Sequence, residues 1–194
     1  MAMALSQENR TPEKEPHNLI ILGIDPGYAI VGYGVVENEN SRFRTLEHGA
    51  ITTQAGLDFS RRLEIIYDAL NTVTAHWKPE AVAIEKLYFQ NNKTTGIGVA
   101  EARGVILLAC QKAGARIFEY TPMQVKLAVT GYGQAKKPQV MEMTRRLLGL
   151  KNMPKPDDTA DALAMAVCHA QAAGSELRRA MMARRINMEK GRPI

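Results

Sequence analysis

Four acidic residues lie where their carboxylates could act together. Asp25 follows the apolar run 19–24, and Glu85 follows the shorter apolar run 81–84. An apolar run of this kind is typical of a strand buried in the centre of an α/β sheet, so a carboxylate at its end lies at the sheet edge. Asp158 and Asp161 are three positions apart, which places both side chains on one face of a helix.

This spacing predicts metal-dependent chemistry on a phosphodiester. If the two strands are parallel neighbours, Asp25 and Glu85 lie side by side, and the helix that starts at Asp158 adds two more acids. Carboxylates this close repel one another unless cations lie between them. Hard oxygen ligands in a partly open arrangement suit Mg²⁺ or Mn²⁺. Two such ions can hold a phosphodiester, activate a water molecule and stabilise the leaving oxygen.

Each acid also has an ordinary structural explanation. Asp25 precedes Pro-Gly, which is a strong turn signal. Asp158 and Asp161 stand in a first helical turn, where the helix dipole favours ionised acids. The apolar stretch 162–167 that follows them favours a helix packed on the sheet, with its first acids facing the sheet edge.

The elements that would position these acids follow from periodicity and turn signals. The first strand is followed by an antiparallel hairpin, and helices then alternate with two further strands, so we expect an α/β fold with a mixed five-stranded sheet and helices on both faces. The predicted strands are 19–24, 31–36, 43–51, 81–84 and 116–120, and the predicted helices are 57–77, 94–113, one opened by Thr121-Pro122, one ending at 148, and 156 to about 172.

Length and charge suit one domain with charged ends. The 194 residues divide into a polar leader over 1–18, predicted to be disordered, a domain over 19–173, and a basic tail over 174–194. Of the net charge of +5, the tail carries +4, residues 1–17 carry −1 and the body between them carries +2. The body is nearly neutral, so contacts with a polyanion must rest on local basic patches.

Two further features of the composition bear on location. The sequence holds no apolar run long enough for a membrane span and no apolar core of a secretory signal, so we expect a cytoplasmic protein. Cys110 and Cys168 lie in apolar helical patterns without metal-ligand spacing, and we interpret both as reduced core thiols.

A set of motifs, in order and at consistent intervals over roughly 19–170, resembles the bacterial RuvC Holliday-junction resolvases, the crossover junction endodeoxyribonucleases. The matching segments are 22–27 (LGIDPG), 32–34 (GYG), 83–89 (AIEKLYF) with Asn92, 102–105 (ARGV), 118–120 (FEY), 124–126 (QVK), 131–137 (GYGQAKK) and 157–164 (DDTADALA). One such motif is weak evidence, but the whole set is highly specific.

The resemblance implies a ribonuclease-H-like fold and a structure-selective endonuclease. Such an enzyme resolves four-way DNA junctions by paired metal-dependent nicks, with 5′-phosphate and 3′-hydroxyl products, during homologous recombination and DNA repair. By the same resemblance Asp25, Glu85, Asp158 and Asp161 are the metal-binding catalytic acids. They would hold Mg²⁺, two ions per subunit, with Mn²⁺ as a substitute. Some relatives have histidine at the position of Asp158, and whether the neighbouring Asp157 contributes stays open.

DNA contacts are implied in the same way. Tyr88 or Phe89 matches an aromatic residue near the junction centre, where a ring can stack on an unpaired base. Lys126, assigned a catalytic role, and Lys137 match basic positions near the cleaved phosphate, and Lys136 adds a charge beside the second. The alternatives are ordinary packing for the aromatic residues and a solvated helix face for the lysines.

The resemblance also implies partners: a homodimer, the RuvA junction-binding protein and the RuvB branch-migration ATPase. The helix over 94–113 carries small residues at Gly96, Ala100 and Gly104 and is the candidate interface. Three other functions remain as alternatives: an actin-like ATPase or sugar kinase, a non-catalytic junction binder, and an RNA-processing nuclease of the same superfamily.

Overall fold

A computed structural model describes residues 18–39, 42–86 and 93–189, with the side chains of 93–95 and 176–189 left out of the description. The elements in chain order are β1 (Leu19–Asp25), β2 (Ile30–Glu39), β3 (Arg42–Thr52), α1 (Phe59–Trp77), β4 (Ala81–Glu85), α2 (Lys93–Lys112), β5 (Arg116–Tyr120), α3 (Pro122–Thr130), α4 (Lys137–Leu147) and α5 (Asp157–Glu189).

The five strands form one mixed sheet in the order β3-β2-β1-β4-β5. β1 pairs antiparallel with β2 and parallel with β4, and β4 pairs parallel with β5. The β1–β4 pairing ends at Ile24 opposite Ile84, so Asp25 and Glu85 follow directly at the same sheet edge. The predicted mixed five-stranded sheet and the predicted adjacency of the two strand ends are confirmed.

Successive side chains of β1 and β4 point to opposite faces of the sheet, so the core consists of two clusters, one on each face. Ile21, Ala81 and Ala83 pack in the cluster formed with α5, whereas Leu22 and Ile84 pack in the cluster formed with α1 and α2. Successive strand residues point to opposite faces, so the side chains of the strand-end acids project to the α5 side. The sheet is therefore covered by helices on both faces, as the sequence predicted.

Helix α5 lies unusually close to the sheet because glycines stand beneath it. A Cβ atom placed on Gly23 would lie 1.9 Å from the carbonyl oxygen of Ala162, and one on Gly32 would lie 2.0 Å from that of Asp158. The hydroxyl of Thr159 also donates a 3.1 Å hydrogen bond to the carbonyl of Gly49 on β3. The first turn of α5 is thus fixed against β1, β2 and β3.

Two predicted boundaries are wrong. The last helix does not end near residue 172 but continues to Glu189, so the predicted boundary at 173/174 falls inside α5. Residues 173–189 contain many good helix formers and no proline, and Gly174 alone costs only about 1 kcal/mol relative to alanine. β2 and β3 extend to Glu39 and from Arg42, into the polar stretch that was predicted to separate them, because cross-strand pairing continues there.

The remaining predictions about this part of the chain concern its thiols and its helices. Cys110 and Cys168 are both free and buried, which confirms their assignment to the core. Burial raises the pKa of each thiol to about 12. Over residues 18–39, 42–86 and 93–189, no helix is long and apolar enough to cross a membrane. The leader over 1–17 lies outside the described residues.

Candidate metal centre and cleavage site

The first two acids of the site are the last residues of neighbouring parallel strands. Asp25 ends β1 and Glu85 ends β4, and both side chains are half-buried. The apolar residues before them are fully buried, so the strand position is fixed by the core. Both acids therefore lie where the apolar sheet ends and solvent begins.

The other two acids are presented by the first turns of α5. Asp158 and Asp161 are half-buried, and Thr159 and Ala160 between them are buried against the sheet. Asp157, which precedes them, is exposed. The close approach at Gly32 sets the height of this helix start above β2. Half-burial distinguishes Asp158 from its neighbour and favours it as the member that faces the sheet edge.

The electrostatics of Asp25 show how strongly these acids interact. The pKa of Asp25 is raised to about 7, first by burial and then by the charges of Asp161, Glu85 and Asp158 in that order, against a lowering by Lys137. The pKa of Glu85 is also raised, first by burial and then by the charge of Asp161. The site therefore holds more negative charge than its own cations balance, which is the condition that favours a bound cation.

Lys137, the first residue of α4, supplies the nearest positive charge. Its ammonium nitrogen lies 3.0 Å from a carboxylate oxygen of Asp161 and 3.5 Å from one of Asp157. The hydrogen bond to Asp161 is the main reason why the pKa of Lys137 is raised. Lys137 thus stays charged and connects α4 to the start of α5.

A cavity of about 280 Å³ opens beside these groups. It brings Lys126 of α3 and Lys137 of α4 together with Glu85 and Asp161, so cations and carboxylates face the same space. Its remaining lining is mainly apolar and comes from α3, α4 and α5: Pro122, Val125, Val140, Ala164 and Met165. A negatively charged group that enters this space therefore meets both lysines and carboxylates.

The donor set suits a hard divalent cation, since all four acids offer carboxylate oxygens. In the described part of the chain, no three Asp, Glu, His or Cys side chains stand as a cluster ready to hold a metal ion. The acids instead face one region, and Asp161 is engaged by Lys137. The chemistry of the ligands and the unbalanced charge at Asp25 fit a metal ion.

The structure brings together part of the predicted DNA-contacting set. Lys126 and Lys137 line the cavity, whereas Lys136 is exposed beside it and, within the described lining, contributes no surface. Its backbone amide donates a 2.8 Å hydrogen bond to the side chain of Gln139 at the start of α4. Tyr88 and Phe89 lie outside the described residues, as does Asn92.

The glycines under α5 are site residues that the sequence argument did not single out. Gly23 and Gly32 stood within the matched motifs but received no role of their own. The sequence did offer a signal for this role, because a glycine inside a strand often marks a close approach of another backbone. Here that backbone carries two of the four acids, so the glycines set the geometry of the site.

Comparison with known proteins decides the family. Residues 21–169 match the family model described as crossover junction endodeoxyribonuclease RuvC. The chain belongs to the RuvC family. A protein of that name from Clostridioides difficile (strain 630) is 53% identical over 152 residues, covering 78% of this chain and 90% of the relative.

Two solved RuvC structures have the same fold as this chain. The Thermus thermophilus RuvC structure has a TM-score of 0.76 at 37% identity, covering 81% of this chain and 97% of its own. T. thermophilus RuvC in complex with a Holliday junction substrate has the same TM-score and identity, covering 80% of this chain and 94% of its own. The predicted ribonuclease-H-like fold is confirmed.

Membership of the RuvC family makes this chain a crossover junction endodeoxyribonuclease. The expected class of activity, a metal-dependent nuclease in DNA recombination and repair, is confirmed. The alternatives of a sugar kinase or actin-like ATPase, a non-catalytic binder and an RNA-processing nuclease are set aside by this membership.

Proposed function

We propose that Asp25, Glu85, Asp158 and Asp161 form the metal centre with which this RuvC-family enzyme nicks Holliday junctions. The observation that carries the proposal is the charge imbalance at Asp25, whose pKa is raised first by burial and then by the charges of three other carboxylates. A cation would remove this repulsion and keep all four acids ionised. We propose Mg²⁺ as that cation, two ions per subunit, with Mn²⁺ able to substitute.

When bound, the divalent ions would activate the attacking water and stabilise the leaving 3′-oxygen, which gives 5′-phosphate and 3′-hydroxyl products. Asp25 and Glu85 would hold the ions from the rigid sheet, and Asp158 and Asp161 would hold them from α5. Ligands on strands and on a packed helix are held more precisely than ligands on loops. The chain's own contribution is this fixed placement of negative charge.

The lysines of the cavity fit the phosphate of the cleaved strand. Lys126 lines the same space as Glu85 and Asp161, so its ammonium would meet a phosphate bound against the acids. Lys137 would act likewise and is oriented by Asp157 and Asp161. We therefore assign Asp157 to the placement of Lys137, since its carboxylate is exposed and lies 3.5 Å from that ammonium.

A homodimer is supported by the outer face of α2. Ile97 and Leu108 are 62% and 55% exposed, and a Cβ atom on Gly104 between them would meet nothing within 4 Å. These positions are spaced by about two and one helical turns, so they share one face of the helix. Two copies joined along this face would bring two sites to two opposing strands of one four-way junction.

Other contacts complete the proposal. Tyr88 or Phe89 stacks on an unpaired base near the junction centre, and Lys136 contacts the DNA backbone beside the cavity. RuvA and RuvB are the proposed protein partners, and the cytoplasm is the proposed location. The support for these four assignments is the match of sequence motifs, together with the exposed position of Lys136.

The test compares three labelled substrates: a four-way junction, a linear duplex with the same sequences, and an RNA–DNA hybrid. Each is incubated with the enzyme in Mg²⁺, in Mn²⁺ and in EDTA. Paired, symmetric nicks confined to the junction and absent in EDTA are expected. Equal cutting of the linear duplex, or cutting in EDTA, would contradict the proposal.

A further inference from the structure

Arg103 of α2 ties together the ends of two strands at the site. Its Nε donates a 3.3 Å hydrogen bond to the backbone carbonyl of Glu85, and its Nη2 forms an ion pair with the carboxylate of Glu119 on β5. The side chain of Arg103 is only 12% exposed, whereas that of Glu119 is 40% exposed. An arginine buried to this extent is held by its partners and by packing, and it has little freedom to move.

The backbone carbonyl of Glu85, which Arg103 contacts, lies where the pairing of β4 with its neighbouring strands ends. The β1–β4 pairing stops at Ile24 opposite Ile84, and the β4–β5 pairing stops at Glu85 opposite Tyr120. Arg103 supplies a donor to Glu85 one residue beyond the β1 pairing. The guanidinium therefore adds a side-chain hydrogen bond to a residue that still pairs with β5 but no longer pairs with β1.

The direction of approach matters for what Arg103 can do. α2 packs on the α1 side of the sheet, through Ala102 and Ile106, whereas Glu85 projects toward α5. Arg103 therefore holds the backbone of Glu85 from the side opposite its carboxylate, and the carboxylate stays available. Fixing the backbone at this point fixes the direction of the side chain that leaves it.

We propose that Arg103 is a positioning residue for Glu85 and that Glu119 sets its orientation. The inference rests on the proposed role of Glu85 in the metal centre. Partners that orient metal ligands typically contribute about 10- to 100-fold to metal affinity or activity. Arg103 would act through the backbone carbonyl, without contact with the metal or the DNA.

The experiment measures Mn²⁺ binding without DNA, by calorimetric titration, and single-turnover cleavage of a four-way junction at varied Mg²⁺. Arg103→Met is expected to weaken Mn²⁺ binding and raise the Mg²⁺ needed for half-maximal cleavage, both by about 10-fold or more. The Kd for the junction in EDTA is expected to stay within about 2-fold, since Arg103 does not line the cavity.

Three variants keep the test decisive. Arg103→Lys keeps the charge but not the planar fork, so it should recover part of the loss and covers the case in which Arg103→Met does not fold. Glu119→Gln removes the ion pair and leaves the donor to Glu85, so a smaller loss is expected. Arg61→Met breaks an exposed ion pair with Glu64 on α1 and should change neither measurement.

Unchanged Mn²⁺ affinity and Mg²⁺ requirement in both Arg103 variants, with only a lower Tm, would overturn the inference and leave Arg103 a stabilising residue. Glu85→Gln, measured alongside, separates this failure from failure of the metal centre itself. If Glu85→Gln retains full affinity and cleavage, the proposed role of Glu85 is wrong. If it loses both while the Arg103 variants do not, only the positioning role fails.

Discussion

Gly23 of β1 and Ala162 of α5 approach so closely that a Cβ atom on the glycine would lie 1.9 Å from the alanine carbonyl oxygen. No real Cβ atom tolerates this contact with a backbone atom, so Gly23→Ala must push α5 away from the sheet. We expect a loss of about 1–3 kcal/mol or more in the free energy of unfolding, measured by urea denaturation. Cleavage should also fall, because the displaced helix carries Asp158 and Asp161.

Gly174→Ala is the matched control. Gly174 lies inside α5, and a Cβ atom there would meet nothing within 4 Å. Alanine in an open helical position should raise stability by about 0.5–1 kcal/mol. A stability loss at Gly23 no larger than ordinary surface changes would contradict the close packing of α5 on β1.

Asp157 and Asp158 are adjacent in sequence, yet we predict different effects from removing their charges. Asp158→Asn should reduce cleavage by at least about 100-fold, since it removes a proposed metal ligand. Asp157→Asn should reduce it by less than about 10-fold, because Asp161 still holds Lys137 at 3.0 Å. Single-turnover cleavage rates check both, and equal losses would show that the two acids share one role.

The positions of the acids at the sheet edge were predicted correctly from the sequence, whereas the end of α5 and the contacts of its first turn were not. Asp25 and Glu85 each end an unbroken apolar run, and a run of that kind fixes both the strand and its end. The ion pair of Lys137 with Asp161 joins two helices whose approach depends on the packing of the whole core, so periodicity could not predict it. The true end of α5 was missed because the four arginines in residues 173–189 led us to interpret this segment as a basic tail.

The raised pKa of Asp25 predicts a pH-dependent stability in the absence of metal. Between about 3.8, the usual value, and about 7 the folded chain keeps a proton that the unfolded chain has lost. The free energy of unfolding therefore falls as the pH rises through this interval. Asp25→Asn removes the penalty, so its Tm in EDTA should match the parent near pH 4 and exceed it above pH 7.

Thermal melts of both proteins from pH 4 to pH 8 check this. Adding Mg²⁺ at pH 8 should raise the Tm of the parent more than that of Asp25→Asn, because the parent binds the ion more tightly. A difference in Tm between the parent and Asp25→Asn that is the same at every pH would show that the raised pKa of Asp25 is not its cause.

The exposed face of α2 gives a prediction on assembly. Leu108→Glu places a charge in the proposed interface and should convert the proposed dimer to a monomer, seen as half the molar mass of the parent by light scattering. Paired cutting should then give way to single nicks. Leu57→Glu alters an apolar residue that is also exposed but lies before α1, and it should leave the molar mass of the parent unchanged. A dimeric Leu108→Glu would contradict the assignment of this face.

The most direct measurement is junction cleavage by Asp25→Asn at saturating Mg²⁺, together with its Kd for the same junction. If Asp25 belongs to the proposed metal centre, cleavage by Asp25→Asn should fall by at least about 1000-fold. Binding should be retained or tightened, because a negative charge near the phosphates is removed. Cleavage by Asp25→Asn at the parent rate would show that the carboxylates at this sheet edge do not form the metal centre.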